Sequence, residues 1–156
     1  MPYSTGKQNV YFIRSSELRR LRLRSLGAPK MGQNEVCGVL PQRGLRQLEL
    51  WFLNNRSANA ESFQIEPTEL RHERREIRER SMHPIGTFHS HPISEPIPGK
   101  GDMLGAAINS LCLICDVCGR TAKLWKIVKR HGRRYANEGP LASLPERNRS
   151  SRSRTK

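Results

Sequence analysis

His89 and His91 stand two residues apart in the run His-Ser-His-Pro-Ile-Ser-Glu-Pro-Ile-Pro-Gly-Lys-Gly-Asp, residues 89–102, which closes on Asp102. Two imidazoles and a carboxylate are a donor set for a divalent metal, zinc foremost. Three protein ligands leave one position open, which a fourth side chain closes in structural zinc sites and a water holds in catalytic ones. The run therefore points to metal-assisted hydrolysis. Along a strand, side chains two apart share a face and rise together by about 6.6 Å, so both histidines reach one ion while Ser90 faces the other way. Pro92, Pro96 and Pro98 stiffen the following loop and keep it out of a sheet. Asp102 then falls in the first turn of a helix, where the dipole favours a carboxylate.

Hydrolysis at such a metal needs a general base that takes a proton from water and delivers it to the leaving amine. Glu35 is the candidate, because it heads the apolar stretch Glu-Val-Cys-Gly-Val-Leu, residues 35–40, where a charged residue is out of place. The ordinary alternative is a solvated strand end. Cys37 shares the face of Glu35 and reads as a small buried hydrophobe that can also sit near the metal. Cys112, Cys115 and Cys118 are three apart, so on a strand neighbours point to opposite faces and do not share a metal; they read as reduced, packed thiols. His72, His83 and His131 read as solvated.

The elements that must hold these groups follow from periodicity and breakers. Residues 9–14 are aromatic and β-branched enough for a first strand, and Ser15 or Ser16 caps a helix with Leu18, Leu21 and Leu26 at helical spacing. Two glycines and a proline in 27–32 end it. Residues 35–40 and 45–53 form a hairpin about a turn at 41–44, residues 63–65 a short strand, and a charged helix runs over 69–81 after Pro67. A strand over 84–91 carries the histidines, a helix spans 102–110, and strands 111–117 and 121–128 close as a hairpin. Residues 1–8 are a flexible lead, 9–130 the domain, and 131–156 a basic tail, disordered from 147.

The whole chain is 156 residues, the size of one domain with a real core. No apolar stretch approaches the roughly 20 residues that cross a bilayer, and no secretory signal is present, so the expected place is the cytoplasm, away from membranes. Twenty-eight Lys and Arg against 14 Asp and Glu give a net charge of +14, which favours an acidic partner or attraction to nucleic acid. The Arg-rich stretch 71–80 lacks the interleaved aromatics that stack bases, so nucleic acid is the less favoured of the two.

Taken together, Glu35, then His89-Ser-His91-Pro92 about fifty residues on, and Asp102 resemble the JAMM (MPN+) metalloprotease pattern of Glu, then His-x-His-Pro, six residues, Ser, two residues, Asp. The resemblance runs from the first strand to about Val128 and includes Asn54-Asn55 and Phe63-Gln-Ile-Glu-Pro67. It implies a single α/β domain with a curved mixed sheet flanked by helices, of the cytidine-deaminase-like kind. It also implies Zn2+ held by His89, His91 and Asp102, Glu35 as general base, and peptide or isopeptide hydrolysis of ubiquitin-like or sulfur-carrier protein conjugates. The chain has no room for the long insertions of chain-specific eukaryotic relatives and resembles the compact prokaryotic type. One position departs from the pattern: Gly99 stands where the family places the Ser that helps stabilise the tetrahedral intermediate, and loss of one such donor costs on the order of a hundred- to a thousandfold in turnover. Two other readings stand beside the enzyme. One is a zinc-binding interaction module of the same fold that is slow or inactive, and the other is a nucleic-acid-associated protein like the RadC relatives, which share a proline-rich His-x-His-Pro loop.

Overall fold

The computed structural model describes residues 9–28, 35–59, 62–117 and 121–146. Among the described residues nine strands form one mixed sheet, curled into a half-barrel, with three helices against it. In chain order the elements are β1 (Tyr11–Arg14), α1 (Ser15–Gly27), β2 (Cys37–Arg43), β3 (Gln47–Leu48), β4 (Trp51–Leu53), α2 (Pro67–Glu79), β5 (His83–His91), α3 (Lys100–Gly105), β6 (Leu111–Asp116), β7 (Thr121–Arg130), β8 (Arg133–Gly139) and β9 (Leu141–Leu144). The sheet order is β8-β7-β6-β5-β2-β3-β1-β9, with β4 also pairing β2. Parallel pairs join β5 to β6 and β1 to both β3 and β9; the rest are antiparallel. The expected α/β domain with a mixed curved sheet is the one observed.

Alternation along β2 sorts the two sides. Leu40 joins the main core with Ile13, Leu21, Leu48, Phe88 and Leu113, whereas Val39 joins Ile77 and Met82 beneath α2. Successive strand residues face opposite ways, so α1 and α2 cover opposite faces. Phe88 belongs to the α1 side, which turns His89 and His91 to the α2 side.

Two glycines let strands approach where the site is built. A Cβ on Gly38 would lie 2.0 Å from Trp51 O, and one on Gly86 would lie 1.9 Å from Leu111 O. The obstacle at Gly86 is all backbone of the neighbouring parallel strand, which cannot swing aside as a side-chain end can. Gly86→Ala is expected to destabilise the fold by about 3 kcal/mol, at the upper end for overpacking, read as a lower denaturation midpoint at unchanged slope.

Several elements differ from the sequence reading. The sheet runs on past residue 130: β8 and β9 lie within the stretch read as a tail, so residues 133–139 and 141–144 belong to the sheet. β8 carries no apolar run because it is held by pairing to β7 rather than by burial, whereas β9 pairs β1 and packs Leu141 against the main core. His131 and Gly132 form the two-residue turn into β8, both with positive φ (49° and 74°), the type I′ pattern of tight hairpins. β2 does not stop at Pro41 but continues to Arg43 across an irregularity at Leu40/Pro41. The strand expected over 45–53 is split into β3 and β4, since the backbone of Leu50 is taken by α1: its N–H donates to Glu17 Oε2 and its carbonyl accepts from Arg20, both at 2.8 Å.

Neither Ser15 nor Ser16 caps α1; the Ser16 amide donates to Glu146 Oε1 at 2.8 Å, a partner 130 residues away. Leu26 is 56% exposed and Ser25 takes the buried position. Residues 63–65 form no strand, because Gln64 spends its amide on the Asn55 side chain and its carbonyl on the Arg56 amide. The helix expected over 102–110 is the shorter α3, ending at Gly105. The expectations for residues 1–8, for most of the 27–32 break, for Cys118 and for 147–156 lie outside the described residues.

Candidate metal centre

β5 ends in His89-Ser-His91, and its three last side chains divide their work by facing. Ser90 is fully buried on the core side, where its Oγ accepts from the Val36 amide at 2.9 Å and its own amide donates to Val36 O at 2.9 Å. Those two bonds clamp the segment bearing Glu35 to the strand bearing the histidines. Asn55 adds a third tie, donating from Nδ2 to Glu35 O at 3.0 Å and to Ser62 O at 3.2 Å. Glu35 itself is 2% exposed.

On the opposite side of β5 the two imidazoles converge, His89 Nε2 to His91 Nε2 being 3.0 Å. Asp102 completes a triangle, its Oδ2 lying 3.3 Å from His89 Nε2 and 3.4 Å from His91 Nε2. The loop of residues 92–99 brings it there with Pro96 and Pro98 buried, and the Gly99 amide donates to the same Oδ2 at 2.8 Å. His91 Nδ1 lies 2.7 Å from Glu95 O, and since a carbonyl only accepts, Nδ1 carries the hydrogen and Nε2 is left with the lone pair a metal needs. His89 is sandwiched: Phe63 stacks on it, centroids 4.6 Å apart at 26°, and Cys112 Sγ lies 3.8 Å from its Nδ1.

The charges are coupled as the distances require. Burial would raise the Asp102 carboxyl, but hydrogen bonds from the two histidines and the Gly99 amide outweigh it and hold it well below the usual carboxylate range. Burial dominates at His89 and lowers it, the Asp102 hydrogen bond only partly opposing. At His91 burial also lowers, yet Asp102, the Glu95 carbonyl and the charge of Glu35 together leave it raised. Burial, then the negative charges of Asp102 and Glu35, push the Cys112 thiol up to about 12, so it stands as a neutral thiol beside His89. Cys37 is likewise pushed up to about 12 by burial and then by Glu35.

A tetrahedral zinc with bonds of about 2.0–2.1 Å holds its ligand atoms about 3.3–3.4 Å from one another. The observed triangle of 3.0, 3.3 and 3.4 Å fits that demand, and the two nitrogens plus one carboxylate oxygen are the donor types such an ion takes. His89, His91 and Asp102 are thus positioned to bind a metal ion. They face a cleft of about 1180 Å³, which Glu35 and Gly99 also line. All five residues singled out from sequence meet there. Ser94 reaches the cleft wall too, from an exposed part of the loop.

Residues 19–128 match the family of prokaryotic homologs of the JAB domain. The chain belongs to this family. Solved structures share the fold. A Desulfitobacterium hafniense protein superposes with a TM-score of 0.73 at 23% identity, over 88% of this chain and 94% of that one. A JAB1/MPN domain protein from Archaeoglobus fulgidus gives 0.54 at 18% identity, over 87% and 98%. A Salinibacter ruber protein gives 0.53 at 16%, over 83% and 90%. No curated protein matches. Among the described residues of this JAB domain, no helix is long and apolar enough to cross a membrane.

Sequence reasoning missed Phe63 and Cys112 as neighbours of His89. Cys112 faces the site because parallel pairing sets it beside Thr87, while Cys115 enters the main core on the other side, the alternation expected for two thiols three apart. The position of Cys112 depends on which strand β6 pairs with, and no local signal carries that. His72 and His83 are exposed and away from the triangle, as expected.

Proposed function

We propose that this JAB domain is a zinc-dependent peptide or isopeptide hydrolase acting on ubiquitin-like or sulfur-carrier protein conjugates. The observation that carries the reading is the donor triangle of His89, His91 and Asp102 opening on the same cleft as the buried Glu35. Zinc held by His89, His91 and Asp102 would supply an acidified water and a Lewis acid for the scissile carbonyl. Glu35 would serve as the general base that accepts a proton from water and returns it to the leaving amine, on a backbone segment tied by Ser90 to Val36 and by Asn55 to the Glu35 carbonyl. Lys100 and Arg74 stand on the cleft wall in a chain of net charge +14, which suits an acidic substrate protein and a cytoplasmic setting among such conjugates.

The test is metal analysis of the purified chain followed by incubation with ubiquitin-like fusions bearing a peptide or an isopeptide bond. Zinc with cleavage supports the reading; zinc without cleavage makes the chain a metal-binding interaction module, and no zinc removes the site.

Gly99 offers a direct gain-of-function check. Its φ is −76°, and a Cβ there would meet only Asp102 Oδ2, at 3.5 Å, so a serine fits without moving backbone. Gly99→Ser restores the hydroxyl that the family pattern places beside the developing oxyanion. Turnover is expected to rise by about tenfold or more, in kcat with little change in KM, measured on the same fusion substrates.

A further inference from the structure

Two donors reach from the β7–β8 ribbon to the segments that carry the ligands. Trp125 on β7 donates its indole N–H to Pro96 O at 2.8 Å, one residue beyond Glu95, whose carbonyl receives His91 Nδ1. Arg134 on β8 donates from Nη1 to Met103 O at 2.9 Å and also to Ala106 O. Those carbonyls end α3, whose first turn carries Asp102.

Beyond the contacts of Asp102 with the two histidines and the Gly99 amide, α3 has little to hold it among the described residues. It is six residues long, buries none of them, leaves Leu104 63% exposed and has no basic residue in its last turn. So short a helix does not persist on propensity, and its last carbonyls need donors from elsewhere. A guanidinium from β8 supplies two hydrogen bonds and a positive charge at the helix end.

We propose that the β7–β8 ribbon is a brace for the metal centre, with Trp125 fixing the loop that orients His91 and Arg134 fixing the helix that presents Asp102. Both are positioning residues, since neither touches the donor atoms. The inference rests on the reading of His89, His91 and Asp102 as metal ligands. It also gives a role to β8, which contributes no buried side chain.

The experiment measures amide hydrogen exchange of the metal-free full chain, together with zinc affinity by chelator competition, for Arg134→Ala, Arg134→Lys and Trp125→Phe. The reporters are the Met103 amide, bonded to Gly99 O at 3.1 Å in α3, the Ile97 amide, bonded to Glu95 O at 2.8 Å in the loop, and the Leu113 amide in the sheet as control. Arg134→Ala is expected to speed exchange at Met103 about tenfold and weaken zinc about tenfold, the low end for groups that orient metal ligands, with Leu113 unchanged. Arg134→Lys, which keeps a donor and the charge, should recover part of both. Trp125→Phe keeps the ring and loses only the N–H, and should act at Ile97 rather than Met103. Unchanged exchange at Met103 in Arg134→Ala, or a rise at all three amides together, overturns the brace. If the parent chain takes no zinc, the metal reading falls, and the exchange pattern alone decides the brace by the same criterion.

Discussion

Glu35→Gln is expected to lower kcat for conjugate cleavage by roughly three orders of magnitude, about 4 kcal/mol of barrier, with zinc content and KM nearly unchanged. Gln has the shape of Glu and can keep its place, because the segment is held through backbone: Val36 to Ser90 in both directions, and Glu35 O to Asn55. What Gln lacks is a group that accepts a proton from water and returns it to an amine. The metal triangle does not include Glu35, so the donor set survives the change. Cleavage within tenfold of the parent rate, on protein with full zinc, would sink the assignment of Glu35 as general base. Loss of zinc along with cleavage would show instead that Glu35 belongs to the metal set.

The same clamp explains how much of the site is legible in the residues themselves. His89, Ser90 and His91 are adjacent on one strand, and period-two alternation alone turns two of them to the metal side and one to the core. Asp102 follows through a loop whose prolines fix its course. Glu35 is remote in sequence, yet a charged residue at the head of an apolar strand is conspicuous wherever it falls. What escapes a sequence reading is everything decided by which strand lies next to which. Cys112 abuts His89 only because β6 pairs β5 in parallel at a given register. Glu146 serves the first turn of α1 only because β9 returns beside β1. Arg134 and Trp125 read as part of a basic tail and a closing hairpin until the ribbon is seen leaning on the ligand loop and α3. β8 is the plainest case: Arg-Arg-Tyr-Ala-Asn-Glu-Gly offers a core nothing to bury, and forms a strand because β7 provides a ladder for it.

Asp102→Asn is expected to weaken zinc binding by at least about a hundredfold at neutral pH, because substitutions in the shell outside the ligands already cost ten- to a hundredfold and this one removes a ligand charge. Its second signature is in the pH dependence. Zinc needs His91 neutral, so affinity falls as pH drops through the His91 pKa. In the parent chain burial pulls that pKa down but the Asp102 hydrogen bond and charge, with the Glu95 carbonyl, leave it raised, so protons compete at a higher pH than for an ordinary histidine. Without the carboxylate, burial is opposed by less, the His91 pKa falls, and the pH at which zinc binding begins to fail moves down although the binding is weaker throughout. The metal-free fold follows the opposite sign. A raised folded pKa at His91 stabilises the protein fully below the unfolded value of about 6.5 and ceases to do so as pH rises through the folded value, whereas Asp102, depressed in the fold, contributes above about 3.9 and is lost on further acidification. Asp102→Asn should therefore lower the stability of the metal-free protein most between about pH 4 and 6.5, where both contributions are present in the parent, while shifting zinc release to lower pH. Calorimetric zinc titration across pH, beside denaturant midpoints of the metal-free forms, reads both, and a zinc-release curve that stays at the parent pH would mean that Asp102 is not what holds the proton on His91.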